Sequence, residues 1–307
     1  MAKKTSRLEP QHRHWYEDLP LPGEKMKEES FIGGECNELN EVFFEVSRSS
    51  SLIRGFLFAL CVLLTPLSLW LLWFLVKENV SDGFTEGGTF LIALSPFFVL
   101  MPLLFFGFRV ELCNPRDQPV RFNRKKKKIY IYEYSWTWNP LGRWRTVFKV
   151  FDWDNVRAEI TRQRGFNGTA YIERYALSLA HCEPGTNTVV DRFDLHSGAV
   201  FTSGLQAIWA YCCEYMEKGL EGLPETKPRP KDVRFSRCFF SYYPFLNPTR
   251  EGAEYRADAP WFHWLYALIL FPVLPLLLLF GLGNYIVMRL APNPVWPPEI
   301  DRESTSG

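Results

Sequence analysis

Three stretches of this chain are longer and more apolar than the core helices of a water-soluble protein. The first covers residues 55–76, between Arg54 and Lys77. The second covers 90–108 and stops at Arg109, and the third covers 261–288, just before Arg289. A buried core helix seldom needs more than about 14 consecutive apolar residues, whereas a hydrocarbon layer about 30 Å thick needs about 20. The expectation is a multi-pass membrane protein: a transmembrane helical hairpin at 51–109 and a third transmembrane helix at 260–289. Pro66, Pro96 and Pro102 lie inside the hairpin; kinks there are tolerated where neighbouring helices, Ser or Thr satisfy the freed carbonyls.

The charges between the stretches give an orientation. The chain carries 35 Lys and Arg against 34 Asp and Glu, so it has no global attraction for nucleic acid. Residues 1–54 hold 8 basic side chains, the connection 77–89 holds 1, 109–259 hold 24, and the tail after Met288 holds 2. Under the positive-inside rule the polar arm 1–50 and the central region face the cytoplasm, and the connection 77–89 faces the other side. With three crossings the tail 290–307 would face that other side too. The charge bias around the third stretch is thin, with Arg250 and Arg256 before it and Arg289 after. The opening 50 residues are polar and proline-interrupted, so the first stretch is expected to be an internal anchor and not a cleavable leader. The seven cysteines include no Cys-x-x-Cys pair, which favours free thiols in a reducing compartment. Trp70, Trp73, Trp261 and Trp264 lie near the ends of apolar stretches, where amphipathic rings prefer the interface.

The central region, 110–220, reads as strands followed by one helix. Strand candidates are 120–123, 129–134, 146–151, 156–162, 171–181 and 189–195, with 41–46 of the arm as a further strand that would pair with them. The arm ahead of Glu41 reads as poorly ordered. Turn signals stand at Asn139-Pro140-Leu141-Gly142, Gly165-Phe166-Asn167-Gly168 and Pro184-Gly185-Thr186-Asn187. Ser203 and Gln206 form a capping-box pattern. Leu205, Ile208, Trp209, Cys212, Tyr215 and Met216 then recur at helical spacing up to Lys218-Gly219. A proline-rich linker occupies 221–259. The expected fold class is an α+β membrane protein. Its antiparallel, β-barrel-like domain is capped by one helix, in the element order of a pleckstrin-homology-like domain. Another small α+β sandwich is the alternative.

A few local clusters of charged and titratable residues carry the candidate chemistry. Arg124, Lys125, Lys126, Lys127 and Lys128 form a basic hairpin tip. Beside a cytoplasmic leaflet, each Lys or Arg near the surface contributes about 1 kcal/mol of attraction to anionic lipid. These five residues are the candidate membrane-surface contact; the bland reading is a solvated tip that discourages edge pairing. Asp152 and Asp154 straddle Trp153, a spacing that suits a divalent ion but fits a turn better. His181, Asp194 and His196 would make an acid–base group only if they converged, and no nucleophile stands at recognisable spacing. Phosphate-loop, dinucleotide, zinc-protease and hydrolase-elbow motifs are absent from the sequence. The first two apolar stretches lack Asp, Glu, Lys and Arg, which argues against a pump or carrier. The reading is therefore of a protein without enzymatic activity, cofactor or metal.

Pro119-Val120-Arg121-Phe122-Asn123-Arg124, Ile129-Tyr130, Phe151-Asp152-Trp153-Asp154-Asn155-Val156, and Trp209 with Tyr215-Met216-Glu217-Lys218-Gly219 resemble the spaced marks of a bacterial membrane-protein family of unknown function. The resemblance covers mainly 50–220. Such proteins are similar to ones encoded beside type VI secretion effectors, where small membrane proteins serve as immunity partners. The resemblance implies a bacterial inner-membrane protein that neutralises a secreted effector by protein–protein interaction. The alternative is a membrane-associated lipid-binding or scaffold module. The partners expected are membrane lipids and a protein, a secreted toxin effector under the resemblance.

Overall fold

The computed structural model describes residues 5–48, 54–81, 87–135, 137, 139, 142–166 and 171–307. Pro140 and Leu141 of the first expected turn, Asn167 and Gly168 of the second, and 82–86 of the connection after the first apolar stretch lie outside the described residues.

Among the described residues nine strands form two antiparallel sheets. One sheet has the order β2 (Cys36–Leu39), β3 (Phe43–Val46), β4 (Val120–Asn123), β5 (Lys128–Ser135), β6 (Arg145–Asp152). The other has the order β1 (Trp15–Asp18), β7 (Val156–Phe166), β8 (Tyr171–Cys182), β9 (Val189–Ala199). Alternating apolar residues of both sheets point into one core, which α3 (Thr202–Lys218) covers. Phe44 stacks on Phe122 at 4.6 Å, Tyr215 meets the Phe44 edge at 4.6 Å, and Trp153 packs on Trp209 at 5.5 Å. Aromatic pairs at such separations add about 0.5–1.5 kcal/mol each beyond their buried area.

The expected barrel is corrected by the pairing pattern. Among the described residues no ladder joins the two sheets. The reason lies at Asp152, where β6 ends. The 3-10 turn Trp153–Asn155 drives the Trp153 indole into the core and releases β7 into the second sheet. There β1, from the arm, occupies the edge of β7 that a continuing β6–β7 ladder would use. The arm ahead of Glu41 is also more structured than expected. It supplies β1 and β2, and Leu19, Ile32 and Cys36 are fully buried in the core.

The capping box does not form either. The N-cap of α3 is Phe201, with no side-chain cap, and Gln206 turns to Glu17 at 3.2 Å. The C-terminal signal does hold, because Gly219 follows α3 at φ +80° with its N–H donating to the Tyr215 carbonyl.

Between β3 and β4 the chain leaves as α1 (Phe56–Ser81) and returns as α2 (Gly87–Cys113), yet the two strands are direct neighbours, with Phe44 opposite Phe122. The apolar hairpin is thus an insertion within one sheet. Phe58 meets Phe108 at 5.6 Å where the helices approach the domain. After α3 come α4 (Phe235–Phe239), α5 (Arg250–Asp258), α6 (Trp261–Leu270) and α7 (Leu274–Leu290). A 3-10 turn at Phe271–Val273 separates α6 from α7, where Pro272 and Pro275 cannot donate to the helical ladder.

Among the described residues two helices are long and apolar enough to cross a membrane, Phe56–Glu78 and the interrupted Trp261–Leu290. Only 17% and 11% of their most apolar stretches are buried within the molecule. Side chains such as Leu67, Trp73 and Leu268 project outward, the reverse of a soluble core helix.

The tail corrects one expectation. Arg116, just past α2, donates to the carbonyls of Ala291 (3.0 Å) and Arg289 (3.1 Å). Trp296 then seats against Tyr132 at 5.7 Å and Phe148 at 5.9 Å, and α8 (Pro298–Thr305) lies on β4 and β5. The tail is therefore on the same side as the sheet domain, not opposite it.

Candidate functional site

The basic residues form the β4–β5 turn, with Lys127 at φ +53°. Most of their charge is already engaged. Lys126 Nζ donates to the Glu303 carbonyl (2.8 Å) and Ser306 Oγ (2.7 Å), and Lys128 pairs with Glu303 at 3.0 Å. Lys127 Nζ reaches the Met216 carbonyl at the end of α3 (2.7 Å), and the Arg124 guanidinium lies against Gly219. Lys125 is exposed, with its stem beside Gly307. Tyr130 adds a bond to Glu303 at 2.9 Å.

The deeper feature is a junction cavity of about 660 Å³, where sheet, linker, apolar helices and tail meet. Several elements deliver side chains to its wall. Arg121 on β4 is buried, bonds Glu45 at 2.6 Å and Asp301 at 2.6 Å, and lies over the Trp296 ring at 4.7 Å. Asp117 accepts from the Arg48 N–H (2.9 Å) and Asn37 Nδ2 (2.7 Å), tying β2 and the strand exit after β3 to the α2 exit. Arg54, immediately ahead of α1, is 8% exposed and donates to the carbonyls of Asn114 (3.2 Å) and Pro115, while Glu111 receives the Gly55 N–H. Burial holds the Arg54 guanidinium below its ordinary pKa. Glu111 and Asp117 oppose that shift, and the neighbouring positive charge of Arg116 adds to it.

The wall is unequal in charge. Arg54, Arg116, Arg121, Arg229, Lys231 and Arg237 line it, against Glu45, Asp117 and Asp232. Arg121 spends its charge on Glu45 and Asp301, and Arg237 on Asp232 and Glu251. Arg54 and Arg116 bond only to main-chain carbonyls among the described residues. Sequence reasoning missed this cluster because its members are spread from Asn37 to Trp296. The one local signal was an arginine flanking each end of the apolar hairpin.

The remaining candidates are not brought together. His181 stands opposite Asp191 in the β8–β9 ladder and stacks on Phe151 at 4.7 Å. His196 stands opposite Leu177 and pairs with Glu35 at 2.9 Å. Asp194 lies opposite Ser178, its carboxyl raised by burial. Asp152 and Asp154 are exposed on either side of the buried Trp153. Among the described residues no three His, Cys, Asp or Glu side chains are placed to share a metal ion. Cys212 and Cys213 are both buried in the core.

No curated protein and no solved structure matches this chain. One family does, described as a family of unknown function, and its match runs over 97–307, from within α2 to the last residue. That stretch takes in β4 to β9, α3 and the tail that returns to them, more than half of the molecule. The chain belongs to this family, DUF6708.

Proposed function

We propose that this chain is a non-enzymatic bacterial inner-membrane protein that binds another protein, and that the partner is a type VI secretion effector which it neutralises by occlusion. The observation that carries the reading is the insertion of α1 and α2 between the hydrogen-bonded strands β3 and β4. The exits of these strands are tied to each other, the Arg48 N–H to Asp117 and Arg54 to the carbonyls of Asn114 and Pro115, which makes the sheet a platform fixed to the apolar helices. Preorganised surfaces lose little freedom on binding. In this reading the protein is multi-pass, and the basic content of the arm and central region puts the sheet domain in the cytoplasm. The two sheets around one core, closed by α3, support a pleckstrin-homology-like sandwich. Co-expression with the effector encoded beside this gene is the test. Restored growth is expected, and unchanged toxicity would overturn the reading.

A second reading, a lipid-binding or scaffold module, is favoured by Arg54 and Arg116 at the junction cavity, which make no ion pair among the described residues. Surface contact by Arg124 to Lys128 is a smaller part of it, carried chiefly by Lys125, since Lys126, Lys127 and Lys128 donate to protein groups. Reconstitution of the full chain into anionic and into neutral bilayers tests it: an effect of Lys125→Glu confined to anionic bilayers supports this second reading, and equal behaviour in both counts against it.

A further inference from the structure

We infer that the junction cavity is a binding site for a phosphate group, held between the guanidinium groups of Arg54 and Arg116. It goes beyond effector binding, and it rests on the membrane-bound reading only where the phosphate is taken to belong to a lipid.

The cavity, about 660 Å³, has the volume of a small-molecule site. Two arginines sit in its wall without an ion pair among the described residues, although Glu111 and Asp117 act on Arg54 from farther away. Arg116 uses Nε and Nη2 on the carbonyls of Ala291 and Arg289, and its Nη1 donates to no described residue. Arg54 is fixed by the carbonyls of Asn114 and Pro115, and its Nε is buried with no hydrogen-bond partner among the described residues. Like charges gathered in a partly buried wall repel each other, and an anion between them converts repulsion into charge-assisted hydrogen bonds. Arginine suits phosphate because its planar fork matches two oxygens at once.

The surroundings fit the same ligand. Ser241 and Asn293 add polar groups to the wall, and Tyr242 and Met288 give it an apolar side toward α7. Arg54 precedes α1, Arg116 follows α2 and Met288 lies in the last turn of α7, so the cavity stands at the level where the apolar helices emerge. A glycerol phosphate headgroup reaches that level from a bilayer, and a soluble phosphate ester reaches it from water. Both present the same anion.

The test uses the purified full chain in detergent, with two variants. Arg116→Gln removes the free donor. Asn293→Asp adds a carboxylate to the wall at an exposed position, so it keeps the fold if Arg116→Gln does not. Thermal stability is titrated with inorganic phosphate and with glycerol phosphate, and co-purifying phospholipid is counted by native mass spectrometry. The expected result is a saturable gain with phosphate or a retained phospholipid. Either is weakened about tenfold or more by Asn293→Asp, the scale of one charge-assisted hydrogen bond. Retention of phospholipid that soluble phosphate does not displace assigns the site to a lipid; saturation by soluble esters without retained lipid assigns it to a soluble ligand. No saturable effect and no retained phospholipid overturns the inference, as does an effect that Asn293→Asp leaves unchanged. A failed effector test leaves these readouts unaffected, so the two readings fail separately.

Discussion

Arg121→Met removes the cation that fastens the tail to the sheet. The guanidinium bonds Glu45 at 2.6 Å, Asp301 at 2.6 Å and Ser304 at 2.9 Å, and lies over the Trp296 ring. Methionine fills much of the space of the aliphatic stem but leaves Glu45, 6% exposed, with the Asn37 amide at 3.1 Å as its remaining donor. Removing one member of a buried pair costs about 3–5 kcal/mol. The Asn37 bond, and the half-exposed Asp301 that regains water, place the expected loss near the low end, about 3 kcal/mol. That corresponds to a midpoint lower by about 6–12 °C. Thermal unfolding in detergent measures the loss, and the rate of tryptic cleavage at the exposed Arg302 reports release of α8. The double variant Arg121→Met with Glu45→Leu is expected to recover most of the stability, because no charge is left buried alone. It does not recover tail protection, because the bonds to Asp301 and Ser304 stay lost. An Arg121→Met protein with unchanged midpoint and unchanged cleavage would refute this account of the tail.

Glu159 is fully buried on β7, and burial raises its carboxyl pKa despite Arg192 at 3.0 Å. A folded value above the unfolded one means that this group's contribution is full below about 4.5 and is lost as pH rises through the raised value. Glu159→Gln is therefore expected to flatten the fall of thermal midpoint above pH 4.5, with Asp194 supplying the slope that remains. An identical pH profile in the variant would count against the assignment. Thiol reactivity gives a separate check. Cys113 is exposed and the other six cysteines are buried, with burial pushing the Cys36 thiol up to about 11. Because the thiolate is the reactive form, one rapid maleimide adduct per native chain is expected by mass spectrometry; several rapid adducts would contradict the packing. Finally, a Cβ at Gly281 would fall inside the Phe239 carbonyl where α4 crosses α7. Gly281→Ala is expected to lower stability by about 1–3 kcal/mol, read as a lower midpoint in detergent.

What the sequence revealed is what local chemistry encodes. The alternation in 129–134 and 146–151 and the helical spacing from Leu205 to Met216 locate β5, β6 and α3, and the positive φ of Gly219 follows from its place after Lys218. Even the pairing of 43–46 with the central strands was legible from its apolar alternation. β1 and β2 were not, because Trp15-Tyr16-Glu17-Asp18 and Cys36-Asn37-Glu38-Leu39 are four-residue pieces whose order comes from the neighbouring strand. The capping box failed because Glu17, distant in sequence, competes for Gln206. Pro298 followed by Glu299 and Asp301 signals a helix start in the tail, but nothing local says that this helix lands on Arg121 and Lys128. The cavity is less legible still, since its arginines converge only after the sheet closes around the inserted hairpin.

The tail folds back onto the sheet domain, on one side of the helices. Lys125→Cys with Gly307→Cys, in a Cys113→Ser background, tests it most directly. A Cβ at position 307 would lie 3.7 Å from the Lys125 stem, within reach of a short bis-maleimide. Intact membranes treated with a permeant reagent and analysed by peptide mass spectrometry are expected to yield an intramolecular link between positions 125 and 307. Two cysteines that never link, and that an impermeant maleimide labels from opposite faces of the membrane, would contradict the account.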